Sequence, residues 1–413
     1  MDSGDRNGPA ATPAPIDLPA ALTRRRLLAG ALAAGAGLAG RASRAAGADG
    51  GAAAGAAGNA DARAAANPAD ADFAEPQRGA RLTFPRDHGA HPRFRTEWWY
   101  VTGWLDADGA APLGFQITFF RSRLAVAADN ASRFAPRQIV FAHVALSDPA
   151  AGHALHDDRA LRAGFADAVA AEGDARLVLG DWSLARDAAS DRWQARLPAR
   201  DFTLDLSFAP TQPAMLQGDA GWSQKSPALP GQPVPASHYY SLPGLAVTGS
   251  VSRAGRARAV SGRAWLDREW SSQYLAADAA GWDWLALNLD DGGAFMAFRM
   301  RRKGAGDGAA PLWQHASWRA AGSATVTDPG APALTPLRWW TSPRSGARYP
   351  VAMAVQLGAR RLVLEPLLDD QELDSRRSTG TVYWEGAVRA LEDGRRVGLG
   401  YLELTGYAGA LKL

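Results

Sequence analysis

The sequence predicts an all-β chain, and three observations carry that expectation. Short runs rich in aromatic and β-branched residues recur from about Phe73 onward. Turn signals such as Asp106-Ala107-Asp108-Gly109 separate them, and stretches of helical period are almost absent. The chain has 413 residues, 47% of them hydrophobic, and 15 tryptophans, which is enough for two or three domains with real cores. It has no cysteine, which excludes a disulfide or thiolate–metal scaffold.

The elements follow in chain order. Thr23-Arg24-Arg25-Arg26-Leu27-Leu28 opens an uncharged stretch that runs to Gly40, and Ala46-Gly47-Ala48 offers a small-x-small cleavage pattern. A basic start, an apolar run too short to span a bilayer and such a site make an export signal over residues 1–48. The paired arginines resemble a twin-arginine signal. That signal implies passage through the Tat translocon after folding, and a periplasmic or secreted location. Gly35-Ala36-Gly37-Leu38-Ala39-Gly40 fits a dinucleotide fingerprint but lies inside the signal core with no strand before it, so it is rejected. Residues 49–72 are half alanine with no large apolar side chain, and read as a disordered Ala-rich linker. Residues 1–48 hold six arginines and three aspartates, the whole of the formal net charge of +3. The remainder is neutral, which gives no electrostatic case for nucleic acid as a partner.

Trp98–Leu105 and Gly114–Phe120 read as the first two strands. Further strands are expected at Ile139–Leu146, Ala175–Leu179, Trp193–Leu197, Phe202–Phe208, Leu245–Val251, Ala259–Leu266, Trp282–Leu289, Ala294–Met300, Leu362–Pro366, Trp384–Arg389 and Gly398–Leu404. One short helix is expected within residues 150–172. An internal echo aligns Trp98-x-Tyr100-x-Thr102-x-Trp104-Leu105-Asp106 with Trp282-x-Trp284-x-Ala286-x-Asn288-Leu289-Asp290, which suggests two related domains. Trp98, Tyr100 and Trp104 share one strand face, and barrel-interior filling is the first expectation for them. A share of Trp282, Trp284, Trp339 and Trp340 is expected to pack between domains.

Several longer motifs resemble the AttH/CrtC family, which includes carotenoid 1,2-hydratase. They are Phe84-Pro85-Arg86-Asp87-His88-Gly89-Ala90-His91, Arg95-Thr96-Glu97-Trp98-Trp99-Tyr100, Gly221-Trp222-Ser223-Gln224-Lys225-Ser226-Pro227, His238-Tyr239-Tyr240-Ser241, Trp265-Leu266-Asp267-Arg268-Glu269-Trp270, Tyr383-Trp384-Glu385-Gly386 and Gly400–Tyr407. The resemblance implies two tandem lipocalin-like β-barrel domains, over residues 73–272 and 273–413. It also implies a site that adds water across a C=C bond with no cofactor and no metal. In the hydratase the implicated residues are a His-x-Trp and a Tyr-x-Asp pair, which fall here on His238-x-Tyr240 and Trp265-x-Asp267, with the two aromatic types exchanged.

That chemistry needs a protonated acid, an apolar pocket and electron-rich walls beside a cation. Residues two apart on a strand share a face, so His238 pairs with Tyr240, and Trp265 with Asp267. If both faces are the barrel interior, acid, imidazole and aromatics converge. Asp267 would then be the proton donor, its pKa raised by burial, with His238 orienting it. The other reading of His238 and Asp267 is a satisfied polar pair bracing the barrel. Asp87, His88 and His91 with Glu97 have metal-ligand chemistry, but Gly89 and Pro92 make this an irregular loop, and histidine hydrogen bonds bracing it are the favoured reading. Ser223 lacks the nucleophile-elbow pattern. The expected partner is a hydrophobic small molecule, isoprenoid or lipid-like, held in or beside the first barrel. The alternative function is a non-catalytic periplasmic lipid carrier serving an ABC transporter permease.

Overall fold

A computed structural model describes residues 73–124, 132, 134–164, 167–306 and 308–409. The signal-type segment (1–48) and the linker (49–72) lie outside them. Thirteen strands make the first sheet: β1 (Thr96–Asp106), β2 (Leu113–Arg123), β3 (Gln138–Ser147), β4 (Ala154–Arg162), β5 (Ala168–Ala170), β6 (Arg176–Leu179), β7 (Trp182–Arg186), β8 (Trp193–Pro198), β9 (Phe202–Ala209), β10 (Met215–Leu216), β11 (Trp222–Gln224), β12 (Ala236–Arg253) and β13 (Arg256–Gln273). Nine make the second: β14 (Ala279–Leu289), β15 (Ala294–Arg302), β16 (Trp313–Arg319), β17 (Ala333–Thr341), β18 (Arg348–Leu357), β19 (Arg360–Pro366), β20 (Glu372–Ser375), β21 (Thr381–Glu392) and β22 (Arg395–Leu404). The pairs are antiparallel. In the first sheet the order runs β4-β3-β2-β1-β13-β12-β9-β8-β7-β6-β5, and the ends curl until β3 and β4 meet β5 and β6. The result is two lipocalin-like barrels in tandem.

Alternation decides which strands are amphipathic. In β8 and β9 every second residue is buried, so one face fills the barrel and the other meets water. By contrast, β1, β12, β13 and β14 are buried at almost every position over long stretches. Their inner faces join the barrel cores, which hold Trp99, Val101, Phe115, Trp193 and Trp270 in the first and Leu285, Phe295, Met353 and Trp384 in the second. Their outer faces form a third apolar layer between the barrels, built from Tyr100, Trp104, Tyr239, Trp265, Trp284, Met296, Phe298 and Tyr401. Trp98, Tyr100 and Trp104 therefore do not fill the first barrel, as their alternation suggested; they face the second. The seven-position alternation was read correctly, but the face was assigned to the wrong side of the sheet.

The echo in the sequence is structural. Tyr100 of β1 pairs with Asp267 of β13, and its counterpart Trp284 of β14 pairs with Glu403 of β22. Reciprocal hydrogen bonds cross the seam at the ends of the two echo strands: Trp104 Nε1 donates to the Gly400 carbonyl at 2.9 Å, and Asn288 Nδ2 to the Ala264 carbonyl at 3.1 Å. At Gly114 of β2 the barrels are so close that a Cβ would stand 2.5 Å from that of Ala387. Among the described residues of 150–172 the expected helix is not formed. Only a 3-10 turn at Pro149–Ala151 precedes β4, because Ala154–Arg162 pairs edge-on with β3 and tertiary pairing overrides its local preference.

Candidate active site at the seam between the barrels

Asp267 sits on β13 with its side chain on the seam face, only 3% exposed. The antiparallel register sets Ser241 of β12 directly beside it, and places Tyr239 two residues away on the same face. Three donors converge on the carboxyl. Trp265 Nε1 reaches Oδ1 at 2.6 Å, Ser241 Oγ reaches Oδ1 at 2.5 Å, and the Tyr239 hydroxyl reaches Oδ2 at 2.6 Å. Each hydroxyl is itself held by a donor: Gln217 Nε2 at 2.8 Å from Ser241 Oγ, and Trp284 Nε1, from the second barrel, at 3.0 Å from the Tyr239 oxygen. These outer bonds aim both hydroxyl protons at Asp267. Burial pushes the Asp267 pKa up to about 7, against the pull of its three donors. Oδ2 accepts one bond where Oδ1 accepts two, so the lone pair free to carry a proton is on Oδ2.

Of the four residues the sequence singled out, the structure brings Trp265 and Asp267 together and sends His238 and Tyr240 elsewhere. Because Ser241 is opposite Asp267, Tyr239 and Ser241 share its face in this part of β12, and His238 and Tyr240 point into the first barrel. The expectation that His238 orients Asp267 is corrected on this ground. Within each strand the pairing was right; the register between strands decides whether the two pairs meet. Tyr240 instead bonds His88 Nδ1 at 2.6 Å, and burial, with Arg186 adding, holds the His88 pKa down at about 4. His238 lies against Trp270 at 5.3 Å and Phe94 at 6.0 Å, and burial lowers its pKa to about 4.

The loop carrying Asp87, His88 and His91 is braced by hydrogen bonds. Arg268 donates to His91 Nδ1 at 2.9 Å, so the proton on Nε2 faces Asp87 at 3.1 Å. Glu97 is ion-paired with both Arg121 and Arg268 and accepts the His91 backbone N–H, so its carboxyl is fully committed to this network. Burial alone would raise its pKa, but Arg268 and Arg121 outweigh that and hold it well below the usual carboxylate range. Arg268 is itself packed over the rings of Trp99 and Trp270.

Sequence reasoning missed several seam residues. Tyr239 and Ser241 are the other face of the motif that yielded His238 and Tyr240. Trp284, the counterpart of Tyr100 and one of the tryptophans expected between the domains, does lie there, and the two rings meet edge-on at 5.3 Å across the seam; its bond to the Tyr239 hydroxyl had no sequence signal. Two residues beyond Asp267, Glu269 pairs with Lys225 Nζ at 2.7 Å in a cage formed by Tyr239, Tyr274 and Phe298. Ser223 is hydrogen-bonded to that same ammonium at 3.0 Å. At the rim, Tyr274 stands edge-on between half-buried Trp98 (4.9 Å) and Trp282 (5.3 Å).

Comparison with known proteins gives a consistent picture. The family model described as AttH-like matches residues 75–407. A crystal structure assigned to AttH from Nitrosomonas europaea is 49% identical and superposes with a TM-score of 0.73, covering 81% of this chain and all of that one. Kievitone hydratase from Nectria haematococca, at 13% identity, shares the fold with a TM-score of 0.58 over 82% of this chain and 98% of its own. No curated protein sequence matches the chain.

Proposed function

The chain belongs to the AttH-like family, and from that premise we propose that it binds a hydrophobic, isoprenoid or lipid-like ligand at the seam and hydrates or isomerises a C=C bond by acid catalysis, with Asp267 as proton donor. The observation that carries this reading is the setting of Asp267: a carboxyl buried among aromatic rings, poised near neutrality, with three oriented donors. An acid with a pKa near the working pH combines adequate protonated fraction with driving force for transfer. When the proton leaves for carbon, the new carboxylate is met by donors already in place, so little reorganisation is needed. Trp265, Trp284 and Tyr100 offer ring faces to the cation formed on the ligand. Tyr239 and Ser241 act as positioning residues, and His238 and Tyr240 stand outside the chemistry. The name of kievitone hydratase adds only that a protein of this fold is called a hydratase. The signal-type segment supports a periplasmic or secreted working place.

The test is incubation with isoprenoid alkenes, lycopene and farnesol among them, in 18O-labelled water. A product heavier by one labelled water, or a double-bond isomer, is expected from wild type. Asp267→Asn should lower turnover by about 10²–10⁴-fold with ligand affinity nearly unchanged. Ligand bound and always recovered unchanged would overturn the enzyme reading and leave the carrier, with an ABC permease as its client.

A further inference from the structure

The second barrel presents an acid pair at the register positions that match Asp267 and Ser241. Glu403 stands to Trp284 as Asp267 stands to Tyr100, and Glu385 stands to Glu403 as Ser241 stands to Asp267. By the same register Tyr383 takes the place of Tyr239. The first-barrel copy is completed by three donors of its own, whereas in the second the Trp282 side chain bonds Glu403 and leaves Glu385 with an open oxygen. Tyr383 turns instead to His143 of the first barrel, at 2.6 Å. Glu385 Oε2 has no hydrogen-bond partner in the protein, and neither has the Tyr100 hydroxyl, although the two residues are only 4% and 5% exposed. Among the described residues no ion pair reaches Glu385 or Glu403. Burial, then the charge of Glu403, holds the Glu385 pKa well above the carboxylate range, and burial raises that of Glu403 as well. Tyr100 belongs to the apolar layer between the barrels, on the strand that meets β21 and β22 across the seam.

Neutral carboxyls and a neutral phenol are O–H donors. Left unpaired in a buried site, each such group costs about 1–3 kcal/mol. A hydrocarbon ligand leaves the Glu385 carboxyl and the Tyr100 hydroxyl unpaired, whereas an uncharged oxygen acceptor satisfies them. We propose that Glu385, Glu403 and Tyr100 form a subsite for a hydroxyl or carbonyl oxygen, so that the ligand is an oxygenated apolar molecule and not a hydrocarbon polyene. The inference rests on the seam being the ligand site. It adds the substrate class: one oxygen function held by the second barrel while the C=C bond lies toward Asp267.

The experiment uses three probes of matched carbon chain, farnesol, farnesal and farnesene, and reads binding from quenching of tryptophan fluorescence. Wild type should hold farnesol or farnesal about tenfold or more tighter than farnesene, because a site built for an oxygen penalises a ligand lacking it. The double substitution Tyr100→Phe, Glu385→Leu, which removes both unpaired groups, should bring the oxygenated probes to within about threefold of farnesene. Equal affinities in wild type, or a preference that survives the double substitution, would overturn the subsite. The wild-type comparison decides even if the variant does not fold. Hydration measured in parallel separates the two readings. Farnesene bound and hydrated as well as farnesol overturns the subsite and keeps the acid chemistry. Farnesol preferred but returned unhydrated keeps the subsite and removes the reaction.

Discussion

Replacing Asp267 by asparagine should remove a pH dependence of stability that an ordinary ionised carboxylate at this position would not produce. The carboxyl has an ordinary pKa of 3.8 and one of about 7 in the folded chain. Below pH 4 it is neutral in both states and its burial carries no ionic penalty. As pH rises from 4 to 7 the unfolded chain ionises freely and the folded one does not, so stability falls and then levels off above the folded pKa. At about 1.4 kcal/mol per pKa unit, the full loss is about 4 kcal/mol, of which about 2.5 kcal/mol accrues between pH 5 and pH 8. Asparagine keeps the acceptor for Trp265 and Ser241, but it turns an N–H toward Tyr239, whose hydroxyl then loses its acceptor. That loss of about 1 kcal/mol does not vary with pH. Equilibrium urea unfolding of both proteins at the two pH values isolates the titration. The variant should gain about 2.5 kcal/mol on wild type between pH 5 and pH 8. A difference that is constant with pH would refute the poised acid and leave Asp267 an ordinary ionised carboxylate.

Three further outcomes follow from the same geometry. Tyr239→Phe removes the single donor to Oδ2 and should raise the Asp267 pKa by about one unit, read from the carboxyl carbon by NMR titration. Glu97→Gln leaves Arg121 and Arg268 buried without their counter-charge and should cost about 3–5 kcal/mol in denaturant unfolding; in wild type the depressed pKa of Glu97 makes stability fall as pH drops below the ordinary carboxylate range. Tyr240→Phe breaks only the bond to His88 and should cost about 1 kcal/mol, with the Asp267 titration unmoved; a shift in that titration would mean that the two faces of β12 are coupled.

Much of the fold was legible because alternation and turn chemistry are local. The run around Trp98–Leu105 and its echo at Trp282–Leu289 located the two strands that face each other across the seam. Where tertiary pairing supplies the stability, the sequence is silent. The polar strand β4 reads as a short helix until its ladder with β3 is seen, and β17, largely exposed and interrupted by Pro336, has no strong signal of its own. The site shows the same limit more sharply. That Trp265 and Asp267 share a face is a property of one strand, and it held. That His238 and Tyr240 lie on the opposite side is a property of the register between β12 and β13, and period-2 reasoning within a strand contains no information about it.

The close approach of Gly114 to Ala387 acts as a shim. The barrels are held apart at that point by a hydrogen atom and a methyl group, so the spacing between the Asp267 wall and the Glu403 wall is set by backbone and not by side chains that could swing aside. An alanine at Gly114 would meet the Ala387 methyl at 2.5 Å, so the two walls would have to move apart to admit it.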